Sequence, residues 1–506
     1  MSEWLLTLLV FSPLVGILLL LFVPKTSEKT IKLVGVLATL PALLLSLYIY
    51  LQFEAGTRLS EFSNKVNWFR FGNLEKYDSK LFAVDYELAL DGFALVMLLL
   101  TSILATLAAI ASIHIKKEWK GYFMLFLMLQ IGMLGVFTAQ NLILFFFFFE
   151  ITLIPMFFLI GKWGYLEKEK AAYSFLIYNG LGSAILLIVI MILFARTGTT
   201  NIEALKYIMT VGGVPLIAPI SEAMKYTLLI ALLVAFGIKL PIFPLHTWML
   251  RVHVQAPPSI VMLHAGVLLK IGAFGLIRFG VGIFPEQFKE IAIFIAILGV
   301  INLLYGAFLA LIQTDFKMVL AYSSISHMGI VLIGLGALNE AGIQGAIFQV
   351  VSHGLIAALL FFLVGVMYER VNTSQLGDLG GLAKAMPLTA GFLLAASMAS
   401  LGLPGMSGFI SEFMAFLGLF KVEPIIASIG AIGIILTAVY VLRAVLGITF
   451  GTAKKSYAES LTDIKGAEFA PVVVLLALII LIGVYPSVLT VPLESTLEAI
   501  LIGLGG

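Results

Sequence analysis

Cysteine is absent from this 506-residue chain, and charged residues make up only 11% of it. Without thiolates the chain cannot form disulfides, bind zinc through cysteine or ligate an ordinary iron–sulfur cluster. The formal net charge is only +2, and the sequence contains no long basic run, so nucleic-acid binding is not expected. Phosphate-binding loops and dinucleotide-binding glycine motifs are also missing. These absences exclude several common classes of soluble enzyme and binding protein.

Apolar residues are abundant instead, at 61% of the chain, with a mean hydropathy of +1.11. A soluble domain contains roughly 45–50% apolar residues. Apolar runs separated by polar breaks predict an all-α polytopic membrane protein of about 14 transmembrane helices. Residues 487–504 fit either a short fifteenth helix or an interfacial one. The predicted spans are 4–23, 31–51, 92–113, 122–138, 141–161, 172–194, 226–250, 258–282, 288–311, 316–336, 341–368, 387–418, 424–450 and 470–486.

The distribution of basic residues predicts the orientation of these spans. Lysine and arginine are more frequent in the loops that follow odd-numbered spans than in those that follow even-numbered ones. Basic loops stay in the cytoplasm, so both termini and the long loop 52–91 are expected to be extracytoplasmic.

Two predicted spans contain a proline near their middle. Pro241 follows Gly237 in the seventh span, and Pro404 follows Gly402 in the twelfth. Pro241 cannot donate a backbone hydrogen bond and is expected to leave the Gly237 carbonyl unpaired. Proline kinks are common in membrane helices, but paired breaks in register favour an inverted-repeat transporter.

The spacing of the two breaks predicts a division of the chain into four parts. Residues 1–121 form three N-terminal helices, and residues 451–506 form a C-terminal helix and tail. Between them lie two inverted five-helix repeats, helices 4–8 in 122–282 and helices 9–13 in 288–450.

Ionisable side chains within the spans are few, as expected from a cost of about 2.5–3.5 kcal/mol for each charge at the membrane centre. Taken singly, each fits a structural role: a packed neutral imidazole, a static Glu150–Lys239 salt bridge or a snorkelling lysine. Gln349 and Ser323 each precede a histidine by four residues and share its helix face. Taken together, the six groups predict a proton relay at mid-membrane. They are Glu150, Lys239, Lys270, His327, His353 and Glu412.

Several strings around these residues resemble the antiporter-like membrane subunits of respiratory complex I, over roughly residues 90–450. Within that family the chain most resembles the subunit M (chain 4) branch. It has Glu412 at a position where the L and N branches usually carry lysine. The strings are FEITLIPM from Phe149, KLPIFPLHTW from Lys239, LK at Leu269, AYSSISHMG from Ala321, and LPG with FISEF between Leu403 and Phe413.

The resemblance implies a proton-translocating subunit of NADH–quinone oxidoreductase in the inner membrane of a bacterium. It implies that NADH, FMN, iron–sulfur clusters and quinone bind to partner subunits, and that this chain holds no redox centre. L-type and N-type subunits are the expected neighbours in the membrane arm.

The resemblance also implies a role for each relay residue. A signal from a neighbouring subunit would act on the Glu150–Lys239 pair. Lys270, with His327 and His353, would carry protons along a wetted axis, and Glu412 would exchange them with the outer side.

Two features depart from the family pattern. Relatives usually have Leu-Pro-Asp-Ala before the histidine at 253, whereas this chain has Met249-Leu-Arg251-Val252. Most relatives have a small or apolar residue in place of His264. The sequence leaves two roles open for this imidazole: it is either an additional member of the relay or a packing residue.

Other functions remain open from the sequence. The nearest is a subunit of a multi-subunit cation/proton antiporter or of a membrane-bound hydrogenase-type complex. A stand-alone transporter of organic solutes would need a substrate pocket at the helix breaks, and a structural scaffold would not depend on Lys239.

Overall fold

A computed structural model describes residues 4–73, 80–211, 217–452 and 461–505. Part of the predicted loop 52–91 and part of the C-terminal segment 451–506 therefore lie outside the described residues. Within the described residues, 12 helices are long and apolar enough to cross a membrane. Two further spans, the seventh and the twelfth, are each interrupted and consist of two helices. The 12 helices and these two spans confirm the predicted all-α membrane fold with about fourteen spans.

The spans follow one another in the order of the chain. The first five are Leu5–Phe22, Glu28–Leu37 with Leu40–Glu54, Gly92–Ala111, Trp119–Thr138 and Leu142–Trp163. The sixth to tenth are Lys168–Thr197, Glu222–Lys239 with Thr247–Gln255, Pro258–Val281, Pro285–Ile312 and Phe316–Ala337. The last four are Glu340–Val371, Pro387–Ser400 with Ser407–Val422, Pro424–Thr449 and Phe469–Val484. Shorter helices cover Ile202–Val211, Leu382–Ala385 and Ser487–Gly503.

The eighth and eleventh spans lie at the centre of the bundle. Their most apolar windows are completely buried by the rest of the chain, whereas only 33% of the corresponding windows of the first and thirteenth spans is buried. Polar side chains on the two central spans are therefore shielded from lipid by neighbouring helices.

The loop between the second and third spans contains a β-hairpin, which the sequence did not predict. Strand β1, Ser63–Asn73, pairs antiparallel with strand β2, Lys80–Ala89. Residues of β2 also pair with Ala139 and Thr199, which follow the fourth and sixth spans. The hairpin therefore lies against the ends of even-numbered spans, on one face of the bundle.

The C-terminal helix, Ser487–Gly503, lies at the same end of the bundle as the hairpin. The amide of Gly92, at the start of the third span, donates to Thr496 Oγ1 at 2.9 Å, and Tyr50, near the end of the second span, donates to the Val488 carbonyl at 3.2 Å. The helix therefore contacts the end of the second span and the start of the third.

The seventh span is interrupted between Lys239 and Thr247, as predicted. The expectation that the Gly237 carbonyl is unpaired is wrong, because the Ile242 amide folds back and donates to it at 2.8 Å. Since Ile242 follows the proline, its own amide is free to replace the donor that Pro241 lacks.

The twelfth span is interrupted between Ser400 and Ser407. Gly402 and Gly405 adopt left-handed backbone angles there, with φ of +77° and +90°. Each break falls in the fourth helix of its predicted repeat, 122–282 or 288–450. The inverted relation between the two segments stays a prediction.

Candidate functional site

Five of the six predicted relay residues are buried inside the bundle, each less than 7% exposed: Lys239, Lys270, His327, His353 and Glu412. The sixth, Glu150, is half-buried, and its Oε1 atom is enclosed without a hydrogen-bond partner. None of the five buried groups therefore points at lipid in this chain.

The two central spans join Lys270 to His353. Lys270 is fully buried, and its Nζ atom lies 2.7 Å from His353 Nδ1 and 3.7 Å from Met328 Sδ. An ammonium has donors only, so a protonated Lys270 donates to Nδ1 and leaves the histidine proton on Nε2. This contact is short enough for direct proton transfer between the two side chains.

A second cluster continues from His353 toward the broken twelfth span. The His353 and His327 ring centroids are 5.4 Å apart, and His327 Nδ1 lies 3.5 Å from Glu412 Oε1. Gln349 Nε2 lies 3.3 Å from His327 Nδ1, and Ser411 donates to Gln349 Oε1 at 2.5 Å. Lys270, both histidines and Glu412 thus form a continuous line of titratable groups.

A small cavity of about 10 Å³ lies beside Glu412, lined also by His327, His353, Ser352 and Ser400. A volume of this size holds about one water molecule. Most of its polar lining can donate or accept hydrogen bonds, so a water there would connect the imidazoles to the carboxylate.

Residues that share a helix face in this cluster are not hydrogen-bonded to each other. Gln349 shares a face with His353 but contacts His327, on the neighbouring span. Ser323, which shares a face with His327, accepts a hydrogen bond from Tyr440 at 2.9 Å. The interhelical packing decides these partners.

Lys239 lies in an aromatic environment at the break of the seventh span. Its Nζ atom is 4.3 Å from the Phe149 ring centroid and 6.0 Å from that of Phe175. Aromatic faces stabilise a buried cation. No ion pair within 4.0 Å joins Glu150 to Lys239 among the described residues, so this arrangement is not a closed salt bridge.

The structure also pairs two histidines that the sequence did not connect. His253 Nε2 lies 2.9 Å from His264 Nδ1. A proline-containing turn separates the two imidazoles along the chain, and no helical spacing relates them, so the sequence gives no sign of their contact.

Two buried cations outside the predicted relay have local partners. Lys317 lies between the rings of Tyr165 and Tyr368, with Nζ 4.0 and 3.7 Å from their centroids. Arg278 forms an ion pair with Asp91 at the start of the third span. These contacts account for the burial of both cations without involving the relay. In the part of the chain that the structure describes, no group of three or more histidine, aspartate or glutamate side chains has the geometry of a metal site.

Comparison with known proteins finds similarity over nearly the whole chain. Residues 139–437 match the family described as NADH:quinone oxidoreductase/Mrp antiporter, TM. NADH-quinone oxidoreductase subunit M of Rickettsia typhi is 36% identical over 501 residues, which cover 97% of this chain and 98% of that protein. NAD(P)H-quinone oxidoreductase chain 4 2 of Thermosynechococcus vestitus is 39% identical over 508 residues, covering 98% of this chain and 91% of that protein.

The fold also matches a solved structure. A chain in the structure of respiratory complex I from Thermus thermophilus with bound NADH superposes with a TM-score of 0.84 at 29% identity, covering 99% of this chain and 100% of that one.

Proposed function

Because this chain belongs to the NADH:quinone oxidoreductase/Mrp antiporter membrane-subunit family, we propose that it is the proton-translocating subunit M of an NADH–quinone oxidoreductase. Full-length similarity to subunit M proteins supports this assignment over other branches of the family. The chain then contributes proton movement, while electron transfer takes place elsewhere in the complex.

The contiguous row of groups from Lys270 to Glu412 is the observation that carries the proposal. Lys270 contacts His353 at 2.7 Å, and His327 lies 3.5 Å from Glu412. A static structural core would not need four ionisable groups in line, each of which costs free energy when desolvated. A relay needs them, because a proton moves only between donors and acceptors within hydrogen-bond reach, directly or through one water.

Glu150 and Lys239 supply the coupling step in this proposal. Glu150 is half-buried at the surface of the isolated chain, where a neighbouring subunit can approach it. Bringing a carboxylate to Lys239 stabilises its ammonium, and separating the two favours release of the proton. A charge shift in the neighbour would therefore reach the relay through Glu150.

The proposal extends to the partners and location of the chain. Membrane-arm subunits of the L and N types are its neighbours, and NADH, FMN, iron–sulfur clusters and quinone bind to other subunits of the complex. The chain resides in a bacterial inner membrane with both termini extracytoplasmic. The complex I membership of the relatives and the excess of basic residues in odd-numbered loops support these assignments.

The other functions predict different observations. The family also includes Mrp antiporter subunits, which would drive cation–proton exchange in vesicles without NADH. A transporter of organic solutes needs a larger cavity at the relay than the 10 Å³ beside Glu412. Identification of the proteins that copurify with this chain would distinguish a subunit of NADH–quinone oxidoreductase from a subunit of an Mrp antiporter.

The test is NADH-driven proton uptake by membrane vesicles that contain the intact complex. Glu150→Gln removes the coupling charge, and Lys239→Ala removes the proton carrier. We expect each change to lower the rate of proton uptake by about tenfold or more.

Lys225→Ala is the matched control. Lys225 lies on the same helix as Lys239 but pairs with Glu222 at 2.8 Å near the helix start. Uptake should stay at the wild-type rate in this variant. Normal uptake in both Glu150→Gln and Lys239→Ala, with normal amounts of assembled complex, would refute the proposal.

A further inference from the structure

The relay proposed above leaves Lys239 without a direct contact to Lys270. Lys239 lies against Phe149 and Phe175, whereas Lys270 contacts His353. A proton exchanged at the helix break needs some other group to reach the central spans. The hydrogen-bonded pair His253–His264 lies in this region.

Both imidazoles of the pair are buried, His253 to 1% exposure and His264 to 0%. They share one hydrogen bond, between His253 Nε2 and His264 Nδ1. The other nitrogen of each ring, His253 Nδ1 and His264 Nε2, is enclosed and has no hydrogen-bond partner. Each end of the pair therefore presents one open nitrogen.

Packing alone does not explain this arrangement. His264 lies edge-on to the rings of Trp248 and Phe175, with centroids 5.4 and 6.1 Å away, and His253 lies 4.9 Å from the ring of Phe361. Apolar side chains would fill such a site without leaving buried polar atoms unpaired, which is costly. What distinguishes this pair is that the two open nitrogens belong to rings joined by a hydrogen bond, so a proton accepted at one end can be released at the other.

The pair lies within the influence of both lysines. His264 and Lys239 share the ring of Phe175 as a neighbour, and both Lys239 and Lys270 interact electrostatically with His264. His253 interacts electrostatically with Lys270. The pair is thus a near neighbour of both lysines, without a direct hydrogen bond to either in this structure.

The backbone of the eighth span is irregular at this point. A π-helical turn begins at His264 and ends at Leu268, two residues before Lys270. Such turns are rare and occur frequently at functional sites, because they change the direction of the side chains around them. This turn sets the relative directions of His264 and Lys270, which lie on the same helix.

We propose that His253 and His264 form a two-imidazole proton bridge between the Lys239 site and the Lys270 site. This inference rests on the proposed function and adds two residues to its relay. His264 is therefore a relay member in addition to its packing against Trp248 and Phe175.

The protonation chemistry of the pair is balanced. Two neutral imidazoles sharing one hydrogen bond have one bare acceptor nitrogen at one end and one free N–H at the other. A proton that binds the bare nitrogen of one ring lets the shared proton cross to the second ring, whose outer N–H then releases its own proton. One N–H bond forms at each step as another breaks. The tautomers are reversed afterwards, so the rings must turn before a second proton passes in the same direction.

The test compares His264→Gln and His264→Leu in the intact complex, by NADH-driven proton uptake in vesicles. Glutamine keeps a hydrogen bond to His253 but cannot pass a proton, and leucine keeps only the packing. We expect both variants to lower the rate of uptake by about tenfold or more. NADH oxidation by ferricyanide, which monitors the redox subunits, should stay unchanged.

His246→Gln is the matched control. His246 is also buried, lies in the same helix break and has an enclosed ring nitrogen, Nδ1, without a partner, but its Nε2 is bonded to the hydroxyl of Tyr305 at 3.1 Å rather than to a second imidazole. Its rate of uptake should equal that of the wild type.

The outcomes separate the bridge from a structural role and from the wider proposal. Wild-type uptake in His264→Gln, with loss only in His264→Leu, would mean that His264 is structural and would overturn the bridge. Loss in Lys239→Ala with full uptake in both His264 variants would also overturn it and leave the proposed function intact. If His264→Gln does not assemble, His253→Gln breaks the same bridge, and wild-type uptake in that variant would be equally decisive.

Discussion

The carboxylate of Glu412 lies against a glycine with left-handed backbone angles. A Cβ atom at Gly402 would lie 2.6 Å from Glu412 Oε2, closer than any normal contact. Gly405, in the same break, also has a positive φ, but a Cβ there would meet nothing within 4 Å. Both glycines relieve the same backbone strain, but only Gly402 leaves the space that the carboxylate occupies.

These two glycines give a matched pair of variants. Alanine at either position costs roughly 1–2 kcal/mol in the left-handed region. Gly402→Ala should in addition displace Glu412 from His327 and lower proton uptake by about tenfold. Gly405→Ala should lower stability alone and leave the uptake per assembled complex close to wild type. Equal uptake by the two variants, measured per assembled complex, would show that the position of Glu412 is not critical.

At the scale of elements, the break of the seventh span is held by the ninth. Asn302 is fully buried, and its Oδ1 accepts from the Phe243 amide at 2.6 Å within the break. Its Nδ2 donates to the Ile325 carbonyl of the tenth span at 2.9 Å. One side chain thus connects three helices and satisfies a donor that the interrupted helix cannot satisfy itself.

Asn302→Ala should therefore destabilise the protein. Each buried polar group left without a partner costs about 1–3 kcal/mol, so the loss should exceed that from a truncated asparagine elsewhere. We expect a lower midpoint of thermal unfolding. The midpoint is measured by size-exclusion chromatography of samples heated to increasing temperatures. Gln313→Ala is the control, because the Gln313 side chain bonds to the Leu309 carbonyl of its own helix and its loss should shift the midpoint little.

At the scale of the whole molecule, the number of spans and the position of the hairpin determine which parts of the chain share one side of the membrane. Fourteen crossings place both termini on one side of the membrane. The hairpin pairs with residues that follow the fourth and sixth spans, and the C-terminal helix bonds to the end of the second span and the start of the third. All of these span ends lie on the same side of the bundle. The excess of basic residues in odd-numbered loops then predicts that this side is extracytoplasmic.

The absence of cysteine makes this orientation directly measurable. Ser60→Cys introduces an exposed thiol before the hairpin, and Glu167→Cys introduces one between the fifth and sixth spans. A membrane-impermeant maleimide should label Ser60→Cys in intact spheroplasts and Glu167→Cys only after the membrane is opened. The reverse pattern would invert the proposed topology.

Much of this architecture could be predicted from the order of residues, because membrane insertion depends on local properties. About 20 apolar residues are required for each crossing, and buried charges are expensive wherever they occur. The fourteen spans, the breaks near Pro241 and Pro404, and the choice of ionisable residues for the proposed relay all follow from such short-range features. The hairpin is not predicted because spans are identified from apolar runs of about 20 residues, whereas the strands Ser63–Asn73 and Lys80–Ala89 are short and mix apolar with charged residues.

The partners within the relay could not be predicted in the same way, because they come from distant parts of the chain. Lys270 meets His353 across 83 residues, and Gln349 contacts His327 on another helix rather than the histidine on its own face. Helix packing in the bilayer sets these pairings, since the rotation and depth of each span depend on all its neighbours. Only in the folded bundle do His253 and His264 meet, and only there does Ile242 satisfy the carbonyl of Gly237.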